Sequence, residues 1–354
     1  MDMLRLQNLL AVSRGDQPAE LFLKNARVIN TLSYEIEEQG VAVFEGLIAG
    51  LGEYEAKEVV DLRGGYLAPA LIDGHIHIES SLLSPAEFAK LVVPLGTGSV
   101  VCDPHEIANV CGVDGIQYML DATEDVPLDV FVMLPSCVPA TSMETSGAEL
   151  DAEALRPFLS HPRVLGIAEV MNFPGVIFGD ENVLNKIELG EGRPVDGHAP
   201  GVRGKRLNAY VAAGIRTDHE CTTAEEAQEQ LRRGLTIFIR EGSTARNLDE
   251  LLRLVTPANA HRFAFVSDDR HADDLIREGH MDATLKKAVA RGLDPVIAMA
   301  MASSHTAEIF GRRDIGAIAP GRRANLVQFE DVKSFLAVKV WRDGSTALPS
   351  WKRL

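Results

Sequence analysis

The sequence is poor in cysteine and aromatic residues, and it contains no long apolar stretch. Its 354 residues include four cysteines, and aromatic side chains make up 6% of the chain. No two cysteines form a CxxC pair, and so few in so long a chain do not predict a disulfide framework. No stretch approaches about 18 consecutive apolar residues, and the first residues lack the apolar core of a secretory signal. We therefore expect reduced cysteines and a cytoplasmic protein.

Basic residues are outnumbered by acidic ones. The chain has 35 Lys and Arg against 51 Asp and Glu, which gives a formal net charge of −16. This excess of negative charge argues against a nucleic acid or an anionic membrane as the main partner. A small neutral base or a metal ion remains compatible, because such ligands respond to the local field rather than to the net charge.

Hydrophobic patterning divides the chain into three parts. Residues 1–66 and 312–354 contain short β-rich runs separated by glycine and polar turns, whereas short apolar runs alternate with helical segments over 67–311. This alternation indicates a buried parallel sheet, and eight units over about 250 residues are typical of a (β/α)8 barrel. The eight predicted strand runs cover residues 67–78, 98–104, 128–135, 163–171, 193–200, 214–222, 235–243 and 262–269.

Polar and ionisable residues collect where these runs end. Because the active sites of (β/α)8 barrels lie at the carboxyl ends of the strands, this distribution predicts a site there. The residues concerned are Asp73, His75, His77, Glu79, Asp103, His105, Glu169, His198, His219, Glu241, Asp268 and Asp269.

The most specific motif is the segment Asp73-Gly-His-Ile-His-Ile-Glu79. Side chains alternate along a strand, so His75, His77 and Glu79 are expected on one face, where the two imidazoles can reach one ion. Imidazole and carboxylate ligands suit Mn²⁺, Fe²⁺ or Zn²⁺. A pair of structural histidines is the competing interpretation, and the single histidines that follow later strands weigh against it.

Two further polar segments have open interpretations. Asp103-Pro-His-Glu is either part of the site or the start of a helix capped by Asp103, with the proline in the first turn. His271 follows the acidic pair Asp268-Asp269, and it either lines the site or is exposed.

These residues resemble the amidohydrolase superfamily, whose members are metal-dependent hydrolases on a (β/α)8 barrel. The resemblance implies a ligand set with HxH on the first strand, a bridging ligand on the fourth, histidines on the fifth and sixth, and an aspartate on the eighth. It also implies a small β-sandwich assembled from both chain ends, which here correspond to residues 1–66 and 312–354. The positions that match the ligand set are His75, His77, Glu169, His198, His219 and Asp268.

Within the superfamily, the bacterial adenine deaminase family is the most similar. The resemblance rests on strings between about residues 70 and 282, among them IDGHIHIESSLLSP, DPHEIANVCGVDGI, DHECTTAEEA and SDDRHADDLIREGHMD. A bridging glutamate on the fourth strand is typical of that family, and Glu169 fits. The family usually continues into a further domain, so we expect that this chain, which ends at Leu354, lacks it.

The resemblance implies hydrolysis of adenine to hypoxanthine and ammonia by a metal-activated hydroxide that attacks C6. It implies two divalent ions, Mn²⁺ by preference and otherwise Fe²⁺ or Zn²⁺. His75, His77 and Asp268 would hold one ion, His198 and His219 the other, and Glu169 would be shared. Asp268 would transfer the proton from the hydroxide to the leaving amine.

Three aspects of this mechanism stay open at the level of the sequence. The expected catalytic residues are Asp268, Glu79 and His219. The role of Glu79 is open: it is either the proton donor to the ring nitrogen or a partner that orients a ligand histidine. His105 and Asp269 are rival donors, and both are candidate substrate contacts together with His271.

The alternatives to an adenine deaminase are another C–N hydrolase of the superfamily, acting on a cyclic amide or a different aminopurine, and a non-catalytic metal-binding paralogue. A purine base is the expected partner, and the superfamily resemblance implies a homo-oligomer.

Overall fold

A computed structural model describes residues 2–141 and 143–347. Its strands, in chain order, are β1 (Ala19–Asn30), β2 (Glu35–Phe44), β3 (Leu47–Leu51), β4 (Ala56–Asp61), β5 (Tyr66–Pro69), β6 (Leu71–His77), β7 (Thr97–Cys102), β8 (Asp129–Leu134), β9 (Val164–Val170), β10 (Val195–Gly197), β11 (Thr217–Asp218), β12 (Thr236–Arg240), β13 (Phe263–Val266), β14 (Asp268–Asp269), β15 (Leu326–Phe329), β16 (Ala337–Arg342) and β17 (Ser345–Thr346).

The helices are short and lie mostly between these strands. They are α1 (Met3–Ser13), α2 (Pro85–Val92), α3 (His105–Cys111), α4 (Val113–Ala122), α5 (Ala152–Leu155), α6 (Phe173–Phe178), α7 (Glu181–Leu189), α8 (Gly204–Ala212), α9 (Ala224–Arg232), α10 (Leu248–Leu251), α11 (Ala272–Arg277), α12 (Met281–Ala290), α13 (Pro295–Met301) and α14 (Ser304–Ile309). Short 3₁₀ segments cover Ile78–Ser81, Val93–Leu95, Arg156–Ser160, Leu252–Leu254 and Ala260–Arg262. Among the described residues, no helix combines the length and the apolar character needed to cross a bilayer.

The first of two compact units contains residues 1–72, 91–98 and 279–354. Its strands form one sheet in the order β17-β16-β15-β5-β1-β2-β3, and β4 pairs with the other end of β1. Strands from both chain ends therefore meet in one sheet through the antiparallel pair β5–β15. The β3 edge also meets the segment before β15, because Ile48 N donates to Arg322 O at 2.8 Å and Ala324 N to Gly46 O at 2.8 Å. Helix α1 is an addition that the sequence patterns did not predict.

The second unit contains residues 73–90 and 99–278. Each of the eight predicted runs holds a strand, and the strands pair in parallel in two sheets, β10-β9-β8-β7-β6-β14 and β11-β12-β13. Every residue of β7 and β8 is buried, which explains why these strands read as continuous apolar runs. The two sheets approach each other where Arg216 N donates to Val195 O at 3.2 Å. The prediction of a parallel α/β architecture is confirmed.

Candidate metal centre

Two histidines of β6 form the centre of the site. His75 and His77 are both buried, and their Nε2 atoms lie 3.1 Å apart. The Nδ1 atom of His75 faces Asp196 Oδ2 at 2.9 Å, and that of His77 faces the backbone oxygen of Asp103 at 2.9 Å. A carboxylate and a carbonyl oxygen only accept, so both Nδ1 atoms carry the proton. In neutral rings the two Nε2 lone pairs then face each other, an arrangement that a cation between them stabilises.

Electrostatics at these histidines also favour a bound cation. Burial lowers the pKa of His75, but its hydrogen bonds to Asp196 and Asp268 raise that pKa more, to well above the ordinary value. The pKa of His77 behaves in the same way, with Asp268 and Glu169 as its partners. The carboxylates around the two rings therefore provide a strongly negative environment in which a positive charge is retained.

Glu169, at the end of β9, connects the β6 histidines with those of the next strands. Its Oε1 lies 3.3 Å from His77 Nε2, while its Oε2 lies 2.5 Å from His198 Nδ1 and 3.4 Å from His219 Nε2. Burial raises the pKa of Glu169, but hydrogen bonds from these three histidines hold it well below the ordinary value. A carboxylate with one oxygen toward each histidine pair has the geometry of a bridging ligand.

Asp268 reaches the site through a bend between β13 and β14. The Asp73 carboxylate accepts hydrogen bonds from both N and Oγ of Ser267, and the next residue, Asp268, has a φ of 56°. This left-handed conformation is costly for a residue other than glycine and is found where surrounding structure enforces it. It turns Asp268 Oδ1 to within 3.2 Å of His77 Nε2 and 3.5 Å of His75 Nε2.

The six predicted ligands thus form overlapping groups with metal-ligand spacing. Donor atoms within 4.8 Å of one another include the group His75, His77 and Asp268 and the group Glu169, His198 and His219. Nitrogen and carboxylate donors in this number suit Mn²⁺, Fe²⁺ or Zn²⁺. The donor set, the facing Nε2 atoms and the buried negative charge all fit divalent cations.

Glu79 does not follow the strand alternation from which its orientation was predicted. Strand β6 ends at His77, and Ile78–Ser81 forms a 3₁₀ turn instead of continuing the strand. In this position Glu79 Oε1 accepts from Ile107 N at 3.4 Å, and burial, followed by the charge of Glu106, raises the pKa of Glu79 to about 7. The Oε2 atom of Glu79 is buried without a hydrogen-bond partner.

The segment that begins at Asp103 belongs to the site. Helix α3 begins at His105 with Pro104 as its N-cap residue, so the interpretation of Asp103 as the helix cap is wrong. Asp103 Oδ2 instead accepts from His105 Nδ1 at 3.0 Å, and the same nitrogen lies 3.5 Å from Glu169 Oε1. Burial lowers the pKa of His105, but Asp103 raises it more, to about 9.

The other two candidate substrate contacts differ in exposure. Asp269 is half-buried, and its Oδ1 accepts from Ser80 Oγ at 2.5 Å, beside the 3₁₀ turn that holds Glu79. Ser80 Oγ also lies 3.0 Å from Glu106 Oε1. His271 is exposed at the start of α11, where its backbone N donates to Ser243 Oγ at 2.9 Å.

Three charged residues of the site, Asp196, Glu220 and Arg240, were missed at the level of the sequence. Asp196 lies two positions before His198 in the sequence. Because side chains alternate along a strand, the two residues are expected on one face, and this spacing could have identified Asp196 as a site residue. Arg240 Nη1 donates to Asp268 Oδ2 at 2.6 Å and to Glu220 Oε1. Glu241 was selected from this strand end instead, but its carboxylate accepts the N–H of Leu248 at 3.3 Å.

A sequence model of the amidohydrolase family matches residues 66–347. The chain belongs to the amidohydrolase family. The matched range contains every residue of the metal centre described above.

Curated relatives within this family are adenine deaminases. The chain is 50% identical over 349 residues to adenine deaminase 2 of Carboxydothermus hydrogenoformans, which covers 99% of this chain and 61% of that protein. It is 50% identical over 340 residues to the adenine deaminase of Kosmotoga olearia, and the match covers 95% of this chain and 59% of that protein. The chain therefore spans about three-fifths of the length of the curated relatives it matches.

Solved structures of other proteins share the fold. Dihydropyrimidinase from Brevibacillus agri has a TM-score of 0.68 at 13% identity, covering 92% of this chain and 94% of that chain. An adenosine deaminase from Xanthomonas campestris with bound zinc has a TM-score of 0.65 at 17% identity, covering 93% of each chain. At these identities the likeness concerns the fold alone.

Proposed function

We propose that this member of the amidohydrolase family is an adenine deaminase, which converts adenine and water to hypoxanthine and ammonia. The observation that carries the proposal is the cluster of six histidine and carboxylate side chains around Glu169, all buried except the half-buried His198, in a chain that is 50% identical to curated adenine deaminases. The identity to these relatives supports adenine rather than another base as the substrate. Another C–N hydrolase and a non-catalytic metal-binding protein are the outcomes against which the proposal is tested.

The proposed cofactor is a pair of divalent ions, Mn²⁺ by preference and otherwise Fe²⁺ or Zn²⁺. His75, His77 and Asp268 would hold one ion, His198 and His219 the other, and Glu169 would bridge them. When bound, such ions lower the pKa of water and stabilise negative charge that develops on the substrate. The buried carboxylate of Asp196, which faces His75, and the backbone oxygen of Asp103, which faces His77, support this assignment, since partners of this kind fix the orientation of ligand histidines.

Proton transfer is assigned to residues of the chain itself. Asp268 is the proposed base, because its Oδ1 faces the ligand histidines while Arg240 holds its Oδ2. It would take a proton from the attacking water and pass it toward the amine that leaves C6 of adenine. His219 stays among the proposed catalytic residues through the ion that it would hold with Glu169, whose Oε2 lies 3.4 Å from its Nε2.

The ring nitrogen beside C6 also needs a proton, for which Glu79 is the proposed donor. The support is geometric: Glu79 Oε2 is buried without a hydrogen-bond partner, in the turn that directly follows the ligand His77. His105 and Asp269 remain rival donors, and with His271 they are the proposed substrate contacts. His271 has the weakest support of the three, because its side chain is exposed.

The wider architecture follows the same proposal. We propose that the two parallel sheets close into a (β/α)8 barrel over residues 67–311, supported by the hydrogen bond between Arg216 and Val195. Residues 1–66 and 312–354 would form the β-sandwich, supported by the pairing of β5 with β15 and by the contact of β3 with the segment before β15. A cytoplasmic location and a homo-oligomer belong to the proposal as well, with no role for nucleic acid or membrane partners.

A direct assay tests the function. Metal-free protein is reconstituted with Mn²⁺ and incubated separately with adenine, guanine, dihydroorotate and hydantoin, while ammonia and the purine products are followed. The proposal expects hypoxanthine and ammonia from adenine in equal amounts. Turnover of one of the other substrates instead would identify another C–N hydrolase, and less than one bound ion per chain would exclude the metal enzyme.

A further inference from the structure

Glu220 is a charged residue of the site that does not belong to the six proposed ligands. It follows His219 directly, and its side chain is 15% exposed. Its Oε1 lies 3.5 Å from His219 Nε2 and 3.8 Å from His198 Nδ1, on the side of the site where Glu169 Oε2 is 3.4 Å from His219 Nε2. One oxygen of Glu220 therefore faces the same two histidines as the bridging carboxylate.

These separations match those of ligands around one ion. Four ligands placed tetrahedrally at about 2.1 Å from an ion lie about 3.4 Å from one another. The distances from Glu220 Oε1 to the two histidines, and from Glu169 to His219, fall between 3.4 and 3.8 Å. The 2.5 Å contact between His198 Nδ1 and Glu169 Oε2 is shorter, and these two atoms would have to move apart to hold one ion.

Arg240 fixes the position of Glu220. Its Nη1 donates to Glu220 Oε1 and, at 2.6 Å, to Asp268 Oδ2, so one buried guanidinium joins the carboxylates of both proposed ion positions. At Asp268 this contact leaves Oδ1 directed at His75 and His77. At Glu220 one oxygen, Oε1, accepts the hydrogen bond from Arg240 and also faces the two histidines. Both contacts are possible because a carboxylate oxygen has two lone pairs.

We propose that Glu220 is an additional protein ligand of the ion held by His198, His219 and Glu169, and that Arg240 is the positioning residue that keeps it there. This inference rests on the proposed two-ion site but not on the identity of the substrate. It adds a negatively charged oxygen to an ion position that otherwise has two neutral imidazoles and half of a shared carboxylate. That ion is therefore bound more tightly than the remaining ligands alone allow.

The test is equilibrium binding of Mn²⁺ to the metal-free full chain, measured for the wild type and three variants. Replacing an outer partner of a ligand weakens metal binding by roughly 10–100-fold, and loss of a ligand is expected to weaken it by at least roughly tenfold. Glu220→Gln and Glu220→Asp should both weaken the binding of one of the two ions and leave the binding of the other unchanged. Glu225→Gln, which changes an exposed glutamate five positions later, should bind both ions like the wild type.

Co²⁺ provides a second readout, because its visible absorption reports coordination number. The spectrum of Glu220→Gln loaded with two equivalents of Co²⁺ should differ from that of the wild type, and that of Glu225→Gln should not. Wild-type affinity for both ions in either Glu220 variant overturns the assignment, whatever the activity. If instead the variants lose affinity as expected while the wild type releases no ammonia from adenine, Glu220 remains a ligand and the proposed substrate is wrong.

Discussion

Asp196→Asn tests how the site prepares His75 to bind metal. Asp196 Oδ1 accepts the backbone N–H of Gly197 at 2.8 Å and the hydroxyl of Thr217, while Oδ2 accepts from His75 Nδ1 at 2.9 Å. The N–H of Gly197 can only donate, so the asparagine carbonyl must take the Oδ1 position and its amide NH₂ must face His75. The ring then receives a hydrogen bond at Nδ1 and carries its proton on Nε2, the atom that would bind the ion.

The expected loss follows from the energy of a ligand held in the wrong tautomer. Outer carboxylate partners of ligand histidines contribute roughly 10–100-fold in metal affinity, or about 1.4–2.7 kcal/mol. Asp196→Asn should reach or exceed the upper end of this range, because it opposes the correct tautomer. Asp196→Ala only removes the partner of His75 and should lose less metal affinity. Thr217→Val leaves the contact between Asp196 and His75 in place and should lose the least metal affinity.

Competition between the protein and a coloured chelator for Mn²⁺ measures these affinities directly. Circular dichroism of each metal-free variant controls for folding. The reasoning is refuted if Asp196→Asn binds two ions as tightly as the wild type, or if Asp196→Ala is the weaker binder of the two.

Three further outcomes are expected. Glu79→Gln should retain two ions per chain but lose roughly 10²–10⁴-fold in turnover of adenine, as expected for removal of a general acid, whereas Glu87→Gln, at an exposed position of helix α2, should change neither; near-normal turnover in Glu79→Gln would remove Glu79 from this role. Arg240→Gln should lower the unfolding free energy of the metal-free protein by about 3–5 kcal/mol in urea titrations, since it leaves the buried Asp268 and the half-buried Glu220 without their shared cation; a loss below 1 kcal/mol would contradict the strength of these ion pairs. Removing Mn²⁺ by dialysis against chelator should lower the unfolding free energy by about 2.7 kcal/mol per ion relative to protein at 100 times the dissociation constant, and an unchanged melting temperature would argue against a preformed metal site.

The strand runs and the polar residues at their ends could be predicted because both follow from local periodicity. Continuous apolar runs mark buried parallel strands, and polar residues at their ends must meet on one side of the sheet. Twelve residues at the ends of the predicted runs were selected on this basis. The family resemblance then implied that six of them, spread over almost 200 positions, are metal ligands, and the structure brings the donor atoms of these six together.

What the sequence could not show arises where the backbone departs from a regular strand. Glu79 was assigned to a face by alternation, but β6 ends two residues earlier and a 3₁₀ turn sets its direction. Arg240 was overlooked in favour of Glu241, since either residue of the pair can face the site and the sequence does not show where β12 stops. Asp268 depends on a positive φ that Asp73 enforces through Ser267, a contact over almost 200 residues.

Ammonia release from adenine by the Mn²⁺-reconstituted protein tests the central claim most directly. The account predicts one ammonia and one hypoxanthine for each adenine consumed, in a preparation that binds two ions per chain. A preparation that binds two ions but releases neither product from adenine would contradict it.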